Sequence, residues 1–575
     1  MEKFKKKNDV QKYISKLTTL LENNEHIKAI DTIRHGLKNK PEWAEGYALL
    51  GRLLWQTGVH DEAMTAFRTA VTLQPETSEW KLSLLSCEVQ LGQLDRAVPE
   101  LLRIISENIN NVSVVIEAVS LISLASRHDI AAASLKWCVR KRPDEPRFPI
   151  ALASELISAG HPAEGCAVFI DLIKQSPDNI SYTPLIVSAL GHIGEFQYAL
   201  DISEVYNNSP EEKSPPFLNN MACALGALNR SNEAIPLYEE AFRKSPDDES
   251  IRFGLASAYL KNGDYEKGWT QNELRPAVLK RPEKKPWRGE EDLNGKTLLL
   301  LGDQGLGDCI QFVRYIRFLS TSGTRLVLAV PAPLVRLFSN MPYDMDVHAL
   351  DRLPLEHDLS CPLLSLPFAL MRYIGTEIPS DVPYLKAYSE DVSRFGTLPG
   401  PARKKRVGIV WSGAERPQYG IFYRARSSSL EGFAPVLEQT QVEFVSLQTG
   451  KPRDELSASR FQHVPDPMGD VRDMADTAAI IQTLDLVISV DTSVAHLAGA
   501  MGKPVWMLTR SDCCWRWLEH RDDTPWYPTM KIFRSQPGSL DHAISLAARE
   551  LSLFSKNTSP AEAHTTTHKK HEALT

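Results

Sequence analysis

Cysteine is scarce in this chain. The eight thiols among 575 residues (Cys87, Cys138, Cys166, Cys223, Cys309, Cys361, Cys513 and Cys514) form no C-x-x-C pair and show no framework spacing, so no disulfide scaffold is needed. They read as reduced core thiols of a cytoplasmic protein. Long apolar runs are also missing: none approaches the roughly 18 residues that a membrane span requires. The basic start, MEKFKKKNDVQKYISK, has no apolar h-region, so secretion is not expected and N-x-[ST] matches such as Asn111-Val112-Ser113 carry no weight. Excess positive charge is absent too. A net charge of −7 argues against a general nucleic-acid binder. What is present is 43% hydrophobic and 24% charged composition in a chain too long for one core, so about three domains are expected.

The first half repeats itself. Ala63, Ala97 and Ala131 stand thirty-four residues apart, as do Ala222 and Ala256, and Pro143 and Pro177. The best copy, residues 44–77, carries Tyr47, Leu50, Gly51, Leu54, Gly58, Ala63, Phe67, Ala70 and Pro75, the small and large positions that let two antiparallel helices nest. A second strong copy covers residues 215–248. This segment resembles a tetratricopeptide repeat (TPR), and about six repeats plus a half-repeat fill residues 44–270, after a helical lead-in at 1–43. A single pair cannot bury its own apolar face, so stacking is expected to build a superhelix with a groove that holds a protein or peptide. A rigid spacer or a dimerisation arm fits the same pattern.

Beyond residue 284 strands and helices alternate. KTLLLLG at 296–302 is a buried-strand pattern, followed by a loop through Gln304, Gly305, Gly307 and Asp308 and then by an apolar-faced helix. Three readings meet on that loop. A dinucleotide site would need G-x-G-x-x-G and an acidic residue after the strand at 325–330, and neither is there. A P-loop would place Gly295, Lys296 and Thr297 at a helix start, whereas they begin a strand. A catalytic loop uses the glycines to let an acceptor approach and Asp308 as its carboxylate; Asp308 as a plain first-turn acid, favoured by the helix dipole, fits equally. A break at 395–405 then precedes a second sheet, with strands at 406–411 (RVGIVW) and 442–448 (VEFVSLQ). The Arg403–Arg406 basic run there suits a solvated linker or a localisation signal.

Residues 484–509, LDLVISVDTSVAHLAGAMGKPVWMLT, read as strand, polar turn, small-residue helix and strand. Asp491, Thr492 and Ser493 are all N-cap types, which would leave the N–H groups of residues 493–496 aimed beyond the first strand as a seat for a diphosphate, with Lys503 as a nearby positive charge. An ordinary capped crossover helix has the same pattern. Asp344 and Asp346 spell D-x-D, a pair of carboxylates that can hold a metal ion, but in what reads as a helix-to-strand connection. The tail at 554–575, with His564, His568 and His571, has a disordered composition.

Several strings now line up in order: GDQGLGDCIQFVRY at 302–315, VGIVWSG at 407–413, Arg426-Ser427, VSLQ at 445–448, the run 473–506, WRWL at 515–518 and TPWYP at 524–528. Together they resemble the GT-B glycosyltransferases of the heptosyltransferase-like, family 9-like type, and the whole chain is similar to TPR proteins bearing such a domain; the architecture is also similar to that of O-GlcNAc transferase. The resemblance implies an α + α/β fold: an all-α TPR superhelix followed by two Rossmann-like domains, at 287–395 and 406–553. It places a general base on Asp308, diphosphate binding on Asp491, Thr492, Ser493 and His496, and base or ribose contacts near Trp411, Ser412, Gly413 and Gln448. Arg426 or Lys503 would offset leaving-group charge, and Gln304, Gly305 and Gly307 would form the acceptor loop. The chain departs from relatives at Cys514, where many have the aspartate of D-W-R-W, and at Ser493, where many have glycine. Sugar transfer from a nucleotide-diphosphate donor to a hydroxyl of a groove-held protein or peptide is therefore expected, hexosyl or heptosyl in type, with no metal and no cofactor. The alternative is a non-catalytic TPR adaptor with a degenerate domain. With a lipid-linked or saccharide acceptor, residues 1–270 would be dispensable.

Overall fold

Small residues at a fixed step are what let the first half fold as paired helices. The computed structural model describes residues 13–14, 16–17, 20, 25–175, 183–207, 213–275, 286–302, 305–319, 323–353, 355–396, 404–413, 426–536 and 539–554. They fall into two compact units, 1–189 and 190–575, with the division inside the helix Thr183–Ile193. In the first unit a lead-in helix, His26–Asn39, precedes the pairs Ala44–Gln56 with His60–Leu73, Ser78–Gln90 with Leu94–Glu107, Val112–Leu124 with His128–Lys141, and Arg147–Ser158 with Pro162–Gln175. Ala63, Ala97 and Ala131 are fully buried. Gly51 lets one helix lie flush on the next, since a Cβ there would come within 2.9 Å of the Phe67 ring.

The turn inside each pair needs a left-handed residue. Gly58, Gly92, Gly160, Gly194 and Gly263 take φ of 83°, 76°, 87°, 86° and 85°, and Ser126 (58°) and Asn229 (57°) occupy the same slot in their own repeats. The step between successive slots is thirty-four residues except for one of thirty-five between Gly194 and Asn229, so the repeat period is written in the backbone as well as in the alanines.

The second unit begins with more such helices: Phe196–Asn207, then Pro215–Ala227 with Ser231–Lys244, then Glu249–Lys261 with the short Tyr265–Asn272. Two sheets follow, and every strand pair in them is parallel. The first has the order β3-β2-β1-β4, built from β1 (Thr297–Leu301), β2 (Arg325–Val330), β3 (Met345–Ala349) and β4 (Leu359–Pro362). The second has the order β6-β5-β7-β8-β9, from β5 (Arg406–Val410), β6 (Glu443–Ser446), β7 (Leu486–Val490), β8 (Val505–Arg510) and β9 (Met530–Ser535). Continuous apolar runs such as Leu298 to Leu300 and Leu486 to Ile488 are what two-sided burial in a parallel sheet demands. The chain is thus a helical-repeat region followed by a parallel-sheet α/β region.

Strand order reverses between β1 and β4 and again between β5 and β7. In sheets of this kind the crevice for a ligand opens at those reversals, beyond the carboxyl ends of the strands. One apolar cluster runs from Leu260 and Trp269 of the last repeat helices through the first sheet to Ala475, Val494 and Leu497 beside the second. An ionic net joins the sheets as well. Arg336 pairs with Asp391, with Asp473 at 2.7 Å and with Asp476, which also takes Arg472 at 2.8 Å and Arg394 at 3.3 Å. Burial alone would raise the Asp476 carboxyl, but hydrogen bonds from Arg472 and Arg336 outweigh it and hold the group well below the usual carboxylate range.

The D-x-D string does not sit at either crevice. Asp346 lies near the start of edge strand β3, where Arg325 at the start of β2 holds it at 2.8 Å. The tail at 555–575 and its histidines lie outside the described residues.

Candidate active site

Beyond β1 the chain turns at Gly305 into the helix Leu306–Phe312. Asp308 stands in its first turn, and its Oδ2 accepts from the Gly305 N–H at 3.0 Å, the reciprocal half of a capping box. Beyond β7 the second crevice begins with Asp491 and the helix Ser493–Ala500. Thr492 holds the N-cap position, but its side chain does not cap: its hydroxyl lies 2.9 Å from that of Ser489. The first turn therefore keeps its outward-facing N–H groups, with a correction to the sequence reading: His496 N–H is spent on the Thr492 carbonyl, at 3.3 Å.

The two helices touch. A Cβ on Gly307 would meet His496 Cδ2 at 2.8 Å, so glycine is required for the first loop to lie on the second helix. His496 is buried, with Nδ1 2.8 Å from the Tyr527 hydroxyl and its ring tilted against Trp517 at 5.2 Å. Burial first, and the Arg516 charge next, push its imidazole down to about 3 against the opposing pull of Asp308. The ring is neutral at ordinary pH, and its 3.9 Å approach to Asp491 is no ion pair.

Residues 513–519, which follow β8, close the cluster. Arg516 pairs with Asp308 Oδ1 and donates to Gln311 Oε1 at 2.6 Å and to Cys514 Sγ at 3.0 Å, with its guanidinium 4.2 Å from the centre of the Trp515 ring. Trp517 donates from Nε1 to Asp491 Oδ2 at 3.0 Å. Trp515 meets Trp269 edge-on at 5.4 Å, and Glu519 accepts from the Ser231 hydroxyl at 2.6 Å and lies 3.5 Å from Lys261. This one segment therefore reaches Asp308, Asp491 and the last repeats together. Behind it Arg314, 2% exposed, donates to the carbonyls of Pro379 and Trp526 and to the Tyr384 hydroxyl, between the rings of Tyr384 and Tyr527.

The remaining sequence-predicted residues divide. Trp411, Ser412 and Gly413 do follow the end of β5 but are buried, Trp411 wholly within the core of the second sheet, and Arg426 lies against Gly413, where a Cβ would be 3.3 Å from its guanidinium. Gln448 is buried and already engaged: it accepts from the N–H groups of Trp411 and Ser412 at 3.1 and 3.0 Å and donates to the carbonyls of Ser412 and Thr449 at 2.9 Å each. It shapes the loop, with no hydrogen-bonding capacity of its amide left over for a base or ribose. Lys503 lies beyond the other end of its helix and donates to the carbonyls of Gln482 and Leu484 at 2.8 and 3.0 Å, just before β7 begins. That is the amino end of β7, whereas Asp491 follows its carboxyl end, so Lys503 does not belong to the cluster. Gln304 lies outside the described residues. Arg516, Trp517, Tyr527 and Arg314 were not foreseen as site residues. The only signal for the first three was their place in the WRWL and TPWYP strings.

Between Asp308, Phe312 and Leu363 the space measures about 150 Å³.

Residues 21–111 and 219–268 match the tetratricopeptide-repeat family model, and the chain carries such repeats. It is similar to protein FlbA of Caulobacter vibrioides, 28% identical over 437 residues, which make up 68% of this chain and 70% of that protein. Among solved structures it is similar to a glycosyl transferase family 9 protein from Veillonella parvula, at 11% identity and a TM-score of 0.34, covering 46% of this chain and 97% of that one. It is also similar to the ADP-heptose LPS heptosyltransferase II of E. coli, at 14% identity and a TM-score of 0.33, covering 45% and 98%.

Proposed function

We propose that this chain is a GT-B glycosyltransferase that moves a sugar from a nucleotide-diphosphate donor to a hydroxyl, on a protein or peptide held by the TPR array, in the cytoplasm. One observation carries the reading. The helix that carries a carboxylate beyond one parallel sheet touches the helix that opens beyond the other, Gly307 against His496, with a largely buried arginine paired to the carboxylate. Glycosyl transfer needs a base for the acceptor hydroxyl and opposite charge for the departing diphosphate. Asp308 supplies the first, since its carboxylate is 28% exposed and stands at the mouth of a glycine-lined loop. The N–H groups opening the helix Ser493–Ala500, together with Arg516 and Arg426, supply the second as donors already in place. No step in this scheme passes through a metal or an organic cofactor. Ser412 and Gly413, at the end of β5, would border the nucleoside through their backbone, with Trp411 buried beneath them.

One feature favours a second reading, a non-catalytic TPR adaptor that binds the nucleotide sugar as a signal. Both oxygens of Asp308 are taken, one by Gly305 and one by Arg516, which makes it a poor base as it stands. Titrating the full chain with UDP-, GDP- and ADP-sugars separates the possibilities. Binding with turnover supports the transferase, binding without turnover supports the adaptor as a sensor, and no binding by any donor rejects the transferase and leaves the adaptor as a scaffold.

A further inference from the structure

Arg516 has a choice of anions. Its guanidinium is 13% exposed and meets Asp308 with one arm, while its neighbour Trp517 is anchored on Asp491 at the start of the second crevice. Gly307, next to Asp308, packs on His496 of the helix that opens that crevice. One largely buried cation therefore pairs with the carboxylate and lies within electrostatic reach of Asp491 and His496 at the second crevice. A carboxylate locked to an arginine cannot take a proton from a hydroxyl efficiently. A diphosphate offers the same guanidinium more charge and more acceptor oxygens than one carboxylate does.

We infer that Arg516 is a positioning residue that exchanges partners: it holds Asp308 in the empty protein and turns to the diphosphate when a donor binds, which frees Asp308 for the acceptor. This rests on the reading of the Ser493–Ala500 helix start as the diphosphate seat. Donor binding then precedes acceptor deprotonation, and the base stays masked until a sugar is in place. Gln311 and Cys514 hold the other arms of the guanidinium at 2.6 and 3.0 Å, so the exchange needs a change only at the Asp308 end.

Calorimetric titration of the full chain with inorganic pyrophosphate, UDP, GDP and ADP tests this. Asp308 competes with the ligand for Arg516, so Asp308→Asn should tighten diphosphate binding about three- to thirtyfold. Arg516→Gln should weaken it about tenfold or more. In the Arg516→Gln background the Asp308→Asn change should have no further effect. Arg516→Met, which fills the slot between Trp515 and Phe312 without charge, carries the same cycle if the Gln variant does not fold. Unchanged or weaker binding by Asp308→Asn overturns the inference while leaving the donor seat intact. Tightening that persists without Arg516 also overturns it, because plain charge repulsion would then suffice. If the wild-type chain binds none of the four probes, the transferase reading falls with it.

Discussion

His496 shows how one side chain is set by what covers it. Its folded-state pKa of about 3 lies below the ordinary 6.5, so the folded chain binds fewer protons than the unfolded chain between those values. Stability from this group is therefore complete above about pH 6.5 and is lost as the pH falls toward 3, with a slope of at most about 1.4 kcal/mol per pH unit. Denaturant unfolding at pH 5 and pH 7 should show that the wild-type chain gains more on going to pH 7 than His496→Gln does. Equal gains would mean the imidazole is not held neutral by burial. The sequence showed His496 as a residue facing the seat but not the ring stack or Tyr527 that bury it, because Trp517 and Tyr527 come from 21 and 31 residues further along. Gln448 and Lys503 were legible as polar groups near the right strands. Which way each side chain turns depends on carbonyls the sequence pattern does not locate.

The repeated helices were the most legible elements, because their small residues recur locally and their packing needs only neighbours. The strands at 296–302, 406–411 and 484–490 were nearly as plain, since two-sided burial forces apolar runs. The left-handed turn slot adds a prediction. Ser126 occupies it with φ of 58°, a conformation that costs a residue with a Cβ about 1–2 kcal/mol, partly offset in glycine by its freer unfolded chain. Ser126→Gly should therefore stabilise the first unit by about 0.5–1 kcal/mol, read as a higher thermal midpoint. Asn229→Gly should do less for its own repeat, because asparagine tolerates this region. A fall in midpoint for Ser126→Gly would show that its hydroxyl matters more than its backbone. The segment 513–519 was the least legible element. Its contacts reach residues 205 to 288 positions away, and no periodicity announces them.

At the scale of the whole molecule the last repeats belong to the α/β region. Trp269 is 2% exposed and sits edge-on to Phe312, Trp515 and Trp526, so its truncation to alanine should cost about 3–5 kcal/mol. A fragment starting at residue 287 loses that ring and the Ser231 and Lys261 partners of Glu519, and is expected not to fold. One starting at residue 183 keeps them and should melt cooperatively. The joint bears against the expectation that residues 1–270 are dispensable for a saccharide acceptor, and a stable, active 287–575 fragment would show it to be incidental. The two sheets and their crevices were foreseen from motif order, but their joint with the repeats was not. The central claim is that Asp308 and the helix start at Ser493 form one transferase site. It is tested most directly by measuring donor turnover and donor affinity side by side for the full wild-type chain and Asp308→Ala, across UDP-, GDP- and ADP-sugars. At least one donor should be consumed by the wild type, and Asp308→Ala should bind it at least as well but turn it over about 10²–10⁴-fold more slowly. Equal turnover by the two proteins, or no donor bound by either, would contradict it.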